Sequence, residues 1–598
     1  MAVTIMRFLS TLLASALGAL IAFAVLLVFV GLIFSAVVAS VGSLGTAGEP
    51  AITSNSVLMM DLSGPILEQT AGDDPFQVLF DVPTPTSLQD IKRALTNAAE
   101  DDRIAAVWLR PGGVMAGWAT LADVRQALVD FKSSGKPLIA SENDLGMGEA
   151  AYYLASAADS IFSTPEPFFE FNGFYLGVSF YKGLIDKLNI EPTVIRAGQF
   201  KGAVEPYTRR NLSQENRMQL EVILANRYDA FVHTVAESRD LSADAVESLM
   251  STGALITARD AHEAGLIDNL LHDDEVRSQL ESMVGESDDL NTVSLRRYSR
   301  VSVTPAPTST DEVAVVYAVG TIMGGSSSTY SQTLGATTFA RAMKRAREND
   351  RVKAVVLRIN SPGGMVTASD EMWRAVHLTA GEKPVIVSMG NVAASGGYWL
   401  ATAADTIMVS PHTITGSIGV FGIHFSLGRM MDTKLGITTD RITTGPFADM
   451  FSGMTPLEPR EQALLERAID QTYAEFLTKV SVSRNMPLDE VDAIAQGRVW
   501  TGADALDIGL ADIEGGLDDA IALAAERGGL EEGAYRVIRL PRPKSFLEEF
   551  TDSFMIRART LFDSPWDTAL REQARLLEEL SQMQRAPLAR LPWDISVR

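Results

Sequence analysis

The sequence predicts an α/β fold built as two tandem copies of one domain, preceded by a single transmembrane helix. Three observations carry that prediction. Four blocks of sequence recur in the same order in the two halves of the chain. Within each half, apolar strand-like runs alternate with helix-like stretches, the pattern of βαβ units around a largely parallel sheet. Ahead of both halves, residues 8–41 are almost continuously apolar.

The apolar run comes first in the chain and is longer than the roughly 20 residues that cross a bilayer. Arg7 is the one charged side chain in the first 48 residues, and Glu49 follows the run. Positive charge before the span keeps the N-terminus in the cytoplasm and exports the body. A cleaved signal peptide has an apolar core of about 7–15 residues. This run is far longer, so residues 1–48 are expected to be an uncleaved signal anchor.

The repeat begins near residue 55. Val57-Leu58-Met59-Met60-Asp61-Leu62-Ser63-Gly64 answers Val313-Ala314-Val315-Val316-Tyr317-Ala318-Val319-Gly320. Asp102-Arg103-Ile104-Ala105-Ala106-Val107, leading to Pro111-Gly112-Gly113, answers Asp350-Arg351-Val352-Lys353-Ala354-Val355, leading to Pro362-Gly363-Gly364. Tyr152-Tyr153-Leu154-Ala155 answers Tyr398-Trp399-Leu400-Ala401, and Gly265-Leu266-Ile267-Asp268 answers Gly509-Leu510-Ala511-Asp512. Strands are expected at 104–109, 137–140, 354–359 and 384–388, and helices at 116–132, 366–379 and 458–483. The repeats are assigned to 49–295 and 312–530. A proline-containing linker without apolar periodicity joins them at 296–311. Residues 531–598 form a tail with a helical pattern near 566–583, expected to serve packing or assembly.

Composition narrows the function. A formal charge of −24 argues against nucleic acid as a partner. With no cysteine, thiolate chemistry and disulfides are excluded. The six histidines form no HxxxH or HxH pair, so no metal site is expected. No organic cofactor is implied either.

The most informative stretch is 385–405. Val385-Ile386-Val387 predicts a buried strand, Gly390-Asn391 breaks it, and Ala393-Ala394-Ser395-Gly396-Gly397 opens a helix. Ser395 then sits at a strand-to-helix corner, where unpaired N–H groups favour a developing anion. Small residues at a helix start also serve plain packing against a sheet, and the spacing alone does not separate the two. Aligning the copies does more. Tyr398 placed on Tyr152 sets Ser395 opposite Glu149, and Gly445-Pro446-Phe447-Ala448 placed on Gly198-Gln199-Phe200-Lys201 sets Lys201 opposite Ala448. One half keeps a candidate nucleophile and the other a candidate base.

These residues, with Ser361-Pro362-Gly363-Gly364, Thr415-Gly416-Ser417-Ile418-Gly419 and Phe200-Lys201-Gly202-Ala203-Val204-Glu205-Pro206, resemble the long, duplicated form of the signal peptide peptidase A family. The resemblance covers residues 50–530 and the anchor. It implies Clp-protease/crotonase-like domains and a Ser–Lys dyad with Ser395 as nucleophile and Lys201 as general base. It also implies Ser417 as the residue orienting the lysine, and oxyanion donors at Gly364 and, directly after the nucleophile, Gly396. The implied substrates are cleaved signal peptides at the membrane. The implied assembly is a homo-oligomer, a tetramer, and the implied location is the bacterial inner membrane with a periplasmic body.

Physical chemistry supports the dyad independently. A serine hydroxyl needs a neighbour to take its proton, and lysine does so only when neutral, far from its reference pKa of about 10.4. Burial between two domains supplies the desolvation that lowers it. The competing role for Lys201 is an ion pair with Glu205 on a helix, which Pro206 is expected to disfavour. His412 and His424 are the competing bases downstream of Ser395. Two other functions remain open: a catalytically silent membrane scaffold, and a crotonase-like acyl-CoA enzyme.

Overall fold

A computed structural model describes residues 51–70, 85–142, 146–166, 168–252, 255–285, 289–303, 309–328, 332–542 and 588–590, together with Gly18. The expected span at 8–41 and the helical pattern at 566–583 lie outside the described residues. Among the described residues, no helix is long and apolar enough to cross a membrane.

The first repeat follows the alternation of its sequence. It runs β1 (Ser56–Leu67), α1 (Leu88–Glu100), β2 (Ile104–Met115), α2 (Trp118–Lys132), β3 (Leu138–Ser141), α3 (Glu149–Ala155) and β4 (Ser160–Ser163). Then come α4 (Lys182–Leu188), β5 (Glu191–Ala197), α5 (Gln214–Arg239), β6 (Asn269–Leu270) and β7 (Thr292–Ser294). Ser87 caps α1 by accepting from the Asp90 N–H, a bond typically worth ~1 kcal/mol. The sheet order is β7-β1-β2-β3-β4-β6, with every pair parallel.

The second repeat opens with β8 (Glu312–Val319), β9 (Thr321–Met323), β10 (Thr333–Gly335), α6 (Ala336–Glu348), β11 (Val352–Ser361), β12 (Gly363–Met365) and α7 (Val366–Ala380). It continues with β13 (Val385–Ala394), α8 (Gly396–Ala401), β14 (Thr406–Val409), β15 (Ile414–Gly416), β16 (Val420–Ser426), α9 (Pro459–Arg484), β17 (Val499–Thr501) and β18 (Arg536–Leu540). Its sheet order is β17-β15-β13-β11-β8-β18, with β14 also on β13. Residues 313–318 of β8 are all buried. This is why that strand reads as an unbroken apolar run rather than an alternating one: helices cover both faces of a parallel sheet.

The duplication extends to side chains. The Tyr152 hydroxyl donates to Leu266 O at 2.5 Å, and the Tyr398 hydroxyl to Leu510 O at 2.8 Å. Asp159 accepts from the Leu138 N–H and Asp405 from the Val385 N–H, at 2.9 and 2.8 Å. Each repeat also runs past the edge expected from sequence. Leu295–Tyr298 is helical, and buried Tyr298 donates to Asp101 at 2.9 Å, so the first body reaches into the expected linker. Arg536–Leu540 pairs parallel with β8, so the second body continues beyond residue 530. Elements this short carry too little pattern to be recognised before their packing partners are known.

The repeats meet across a buried ionic cluster. Arg358 on β11 donates to both carboxylate oxygens of Glu68, at 3.0 and 3.1 Å, to Asp123 at 3.3 Å, and to Ser388 Oγ at 2.9 Å. The Thr120 N–H donates to Asn391 Oδ1, and Asn391 Nδ2 donates back to the Thr120 hydroxyl. Glu68, Thr120 and Asp123 belong to the first repeat and Arg358, Ser388 and Asn391 to the second. The seam is therefore specified by charge and direction as well as by apolar area.

A third sheet crosses the seam in the order β10-β9-β12-β19-β16-β5, where β19 is Leu588–Arg590. Its outermost strand, β5, comes from the first repeat and lies antiparallel on β16 from Glu191/Ser426 to Ala197/Val420.

Candidate active site

Ser395 is fully buried and stands between the end of β13 and the start of α8. Its backbone lies at φ 56°, ψ −115°, a conformation costing a non-glycine residue ~1–3 kcal/mol. The surroundings hold it there. Its N–H donates to Gly416 O at 2.8 Å, and its carbonyl accepts from the Trp399 N–H at 2.8 Å. Gly397 has no side chain because a Cβ there would come within 2.8 Å of Ser361 O. The strand-to-helix corner thus packs directly on the end of β11. The helix it opens is short, Gly396–Ala401.

Lys201 follows β5, and β5 is the strand that leaves the first repeat to lie on the second. Its side chain is completely buried. Nζ is 2.7 Å from Ser395 Oγ, 2.9 Å from Ser417 Oγ and 2.9 Å from Ser417 O. Desolvation holds the amine well below the ordinary lysine range. Nζ thus has three oxygen neighbours, the Ser395 hydroxyl and the hydroxyl and carbonyl of Ser417.

The chain around Lys201 is gripped by the second repeat. The Phe200 N–H donates to Gln496 O at 2.9 Å. Gly497, at φ +74°, lies so close that a Cβ on it would be 2.7 Å from Lys201 Cβ. Ser417, itself at φ 52°, is fixed by its N–H donating to Arg498 O. Gln219 on α5 spans the seam: its amide nitrogen donates to Phe200 O at 3.3 Å and its oxygen accepts from the Val499 N–H at 3.0 Å. Gln219, Gln496 and Gly497 belong to no motif in the sequence; the one sequence signal for Gln219 is its spacing of one turn from a second amide, Asn216, on α5, and both are buried.

Lys201 makes no ion pair with Glu205. The Glu205 carboxylate accepts from the Ser213 N–H at 3.0 Å and from Asn216 Nδ2 at 2.8 Å. Contrary to expectation, Glu205 is helical, at φ −60°, ψ −39°. Pro206 is tolerated after it because both open a short helix, where a missing N–H costs nothing.

Gly364 lies on β12, opposite Ile322 of β9 in the ladder, and a Cβ on it would fall 2.0 Å from Ile322 O. Gly396 is the first residue of α8. Glu149, the counterpart of Ser395, accepts from the N–H groups of Asn172 and Gly173 at 2.8 and 2.9 Å. The first repeat thus fills its own serine position with a carboxylate that ties down a neighbouring loop. Of the histidines, His424 Nε2 faces Thr455 O at 3.1 Å, and burial pushes His412 down to about 4. Among the described residues, neither imidazole is hydrogen-bonded to Ser395. No group of residues able to hold a metal ion occurs among the described residues.

Comparison with known proteins matches this architecture. A profile of peptidase family S49 matches residues 130–286 and 377–531, one span in each repeat, and a Clp protease profile matches residues 321–415. The chloroplastic serine protease SPPA of Arabidopsis thaliana is 35% identical over 506 residues, covering 83% of this chain and 73% of its own length. Protease 4 of Salmonella typhi is 35% identical over 509 residues, covering 82% of this chain and 81% of its own. Protease 4 of Haemophilus influenzae is 32% identical over 521 residues, covering 83% of each. The chain therefore belongs to peptidase family S49, as a serine protease whose peptidase domain is duplicated.

Proposed function

We propose that this chain is a membrane-anchored endopeptidase that degrades cleaved signal peptides through a Ser395–Lys201 dyad and an acyl-enzyme intermediate. The observation that carries the reading is the fully buried Lys201 amine 2.7 Å from the Ser395 hydroxyl, its pKa lowered by desolvation. In acylation, Ser395 Oγ attacks the scissile carbonyl carbon while its proton passes to Lys201 Nζ. The tetrahedral oxyanion is met by the N–H groups of Gly396 and Gly364, each such donor typically worth about 3 kcal/mol of barrier. As the intermediate collapses, the peptide C–N bond breaks and the ammonium of Lys201 returns the proton to the leaving amine. Water then hydrolyses the ester by the same proton route. Ser417 holds the amine on course through both half-reactions.

The apolar run at 8–41 supports anchoring in the inner membrane, with the N-terminus cytoplasmic and the body periplasmic. Released signal peptides remain in or near that bilayer, within reach of an anchored enzyme. Assembly into a ring of copies is supported by the asymmetry of the repeats, and its size, a tetramer, rests on the family resemblance alone. The first repeat lends β5 to the second, whereas the counterpart segment of the second repeat, residues 437–444, forms no strand and is exposed throughout. Residues 174–181, the counterpart of β16, likewise form no strand, and Tyr175 and Tyr181 are exposed there. Docking the free arm of one copy on the free edge of the next repeats the internal contact between molecules.

The test is labelling with a fluorophosphonate, followed by mapping of the modified residue. The label is expected on Ser395, absent in Ser395→Ala, and about 10²–10⁴-fold slower in Lys201→Ala. Modification of another residue, or wild-type labelling of Lys201→Ala, overturns the assignment. Incubation of the full chain with synthetic signal peptides and with folded preprotein tests the substrate class: cleavage is expected for the first only.

A further inference from the structure

Ser361 takes no part in the chemistry set out above, yet three parts of the site meet on it. Its side chain is fully buried. The hydroxyl donates to Gly320 O at 2.7 Å and accepts from the Gly363 N–H at 3.2 Å. Pro362 has no N–H to offer, so Gly363 carries the first amide beyond Ser361 that the hydroxyl can hold. Gly320 in turn donates its own N–H to Asn360 O at 3.0 Å. Two bonds thus clamp the end of β11 to the corner between β8 and β9, and one of them runs through the hydroxyl that grips the glycine turn. That corner leads straight into β9, whose Ile322 backs Gly364 in the ladder.

The backbone of the same residue abuts the nucleophile on both sides. Ser361 is the ladder partner of Ala393, which precedes Ser395 on β13. Its carbonyl is the atom against which Gly397, just after Ser395, must lack a Cβ. The separation between Ser395 Oγ and the Gly364 N–H is therefore set through one residue, whose backbone packs on the nucleophile corner and whose side chain fixes the peptide ahead of the donor. The duplication points the same way. Asp102–Arg110 matches Asp350–Arg358 without a gap, and that register, run on, sets Gly113 opposite Ser361. Matching the two Pro-Gly-Gly turns instead leaves Ser361 with no counterpart. In either register the copy without the nucleophile is also without this hydroxyl.

We infer that Ser361 is a positioning residue, whose hydroxyl holds the Gly363-Gly364 turn at the distance from Ser395 that oxyanion binding requires. The inference rests on the peptidase reading above and adds to it the residue that sets the oxyanion geometry. A hydroxyl bonded on both sides fixes the plane of the 362–363 peptide, and a displacement of about 1 Å in a reacting constellation costs roughly 10²-fold in rate.

The experiment uses the full chain, Ser361→Ala, and Ser361→Thr, which keeps the hydroxyl. Thr379→Val is the control: it removes a buried hydroxyl that donates to Ala375 O at 2.8 Å, at the far end of α7 from the turn. Two inhibitors of one peptide sequence separate the oxyanion from the rest of binding. With a peptide aldehyde, Ser395 Oγ bonds to the aldehyde carbon, the C=O π pair moves onto oxygen, and the hydroxyl proton passes to Lys201 Nζ. The matching peptidyl alcohol makes no such adduct. In Ser361→Ala, kcat for a fluorogenic peptide is expected to fall about 10–100-fold at unchanged KM. The aldehyde should lose the same factor in Ki and the alcohol none, and Ser361→Thr should recover most of the loss. Thr379→Val should lower the urea midpoint and move neither Ki. Hydrogen exchange, read by mass spectrometry with electron-transfer fragmentation, follows the hold itself: the Gly363 amide should exchange ~10-fold faster in Ser361→Ala. Equal losses for aldehyde and alcohol, or no loss in Ser361→Ala, overturn the inference. Unprotected exchange at Gly363 in the unsubstituted chain also overturns it, with no variant needed. Faster exchange in Ser361→Ala, in a chain that neither hydrolyses peptide nor labels at Ser395, leaves the hold on the turn in place and removes the peptidase reading. Hydrolysis with exchange and aldehyde affinity unmoved by Ser361→Ala does the opposite.

Discussion

Replacing Lys201 with methionine keeps a flexible stem of similar length and removes only the amine. Two consequences follow from the geometry. First, Ser395 loses its proton acceptor, so fluorophosphonate labelling should slow by about 10²–10⁴-fold. Second, the pH dependence of stability should change by a calculable slope. In the folded chain desolvation holds the amine well below its ordinary 10.5, whereas in the unfolded chain it titrates near that ordinary value. Between the depressed folded value and about 10.5, unfolding takes up a proton, so the unfolded chain binds more protons than the native one. Wild-type stability must then rise with pH, by ~1.4 kcal/mol per pH unit, and level off above the unfolded value. The methionine chain lacks this contribution. Methionine also strands the Ser395 and Ser417 hydroxyls, a cost of about 1–3 kcal/mol that does not vary with pH, so the slope is the informative quantity and the offset is not. Urea midpoints of both chains, converted with a common m-value and followed from about pH 8 to pH 10, give the difference directly. The wild-type labelling rate should climb over the range where the amine loses its proton and reach its plateau below 10.5. Parallel stability profiles, or a labelling rate that first rises near 10.5, would mean a charged lysine in the folded protein and would refute the base assignment.

Four further outcomes are expected. Gly497→Ala forces a Cβ to within 3 Å of the Lys201 backbone at φ +74°; displacing the base by about 1 Å should cost roughly 10²-fold in kcat, measured on a fluorogenic peptide, with the overall fold retained by circular dichroism. Gln219→Ala cuts the bridge from Phe200 to Val499, so kcat should fall while KM holds, by about 1–3 kcal/mol of barrier. Arg358→Met leaves Glu68 and Asp123 buried without their cation and should destabilise the chain by about 3–5 kcal/mol in urea unfolding. His412→Ala and His424→Ala should label at the wild-type rate, since among the described residues neither ring is hydrogen-bonded to Ser395.

By itself, the sequence determined the tandem α/β architecture, because buried parallel strands must be apolar along their whole length and the same runs occur twice in one order. It also determined that Ser395 and Lys201 stand in different copies, because each is missing from the counterpart position. Only the tertiary structure decided what lies between them. That β5 crosses to β16 cannot be read from an Ile-Glu-Pro-Thr-Val run, because strand partners are set by sheet edges formed elsewhere in the chain. The Gln496-Gly497 clamp acts through backbone groups, and the Gln219 amide bridges two more of them; every residue carries such groups and no motif marks them. Arg358 interrupts an apolar strand visibly, but its partners Glu68 and Asp123 lie far off in sequence, and burial across the seam is what pairs them. The short strand at 588–590 has the least pattern of all. Three residues carry no periodicity, and its place comes from the edges of β12 and β16 that it pairs with.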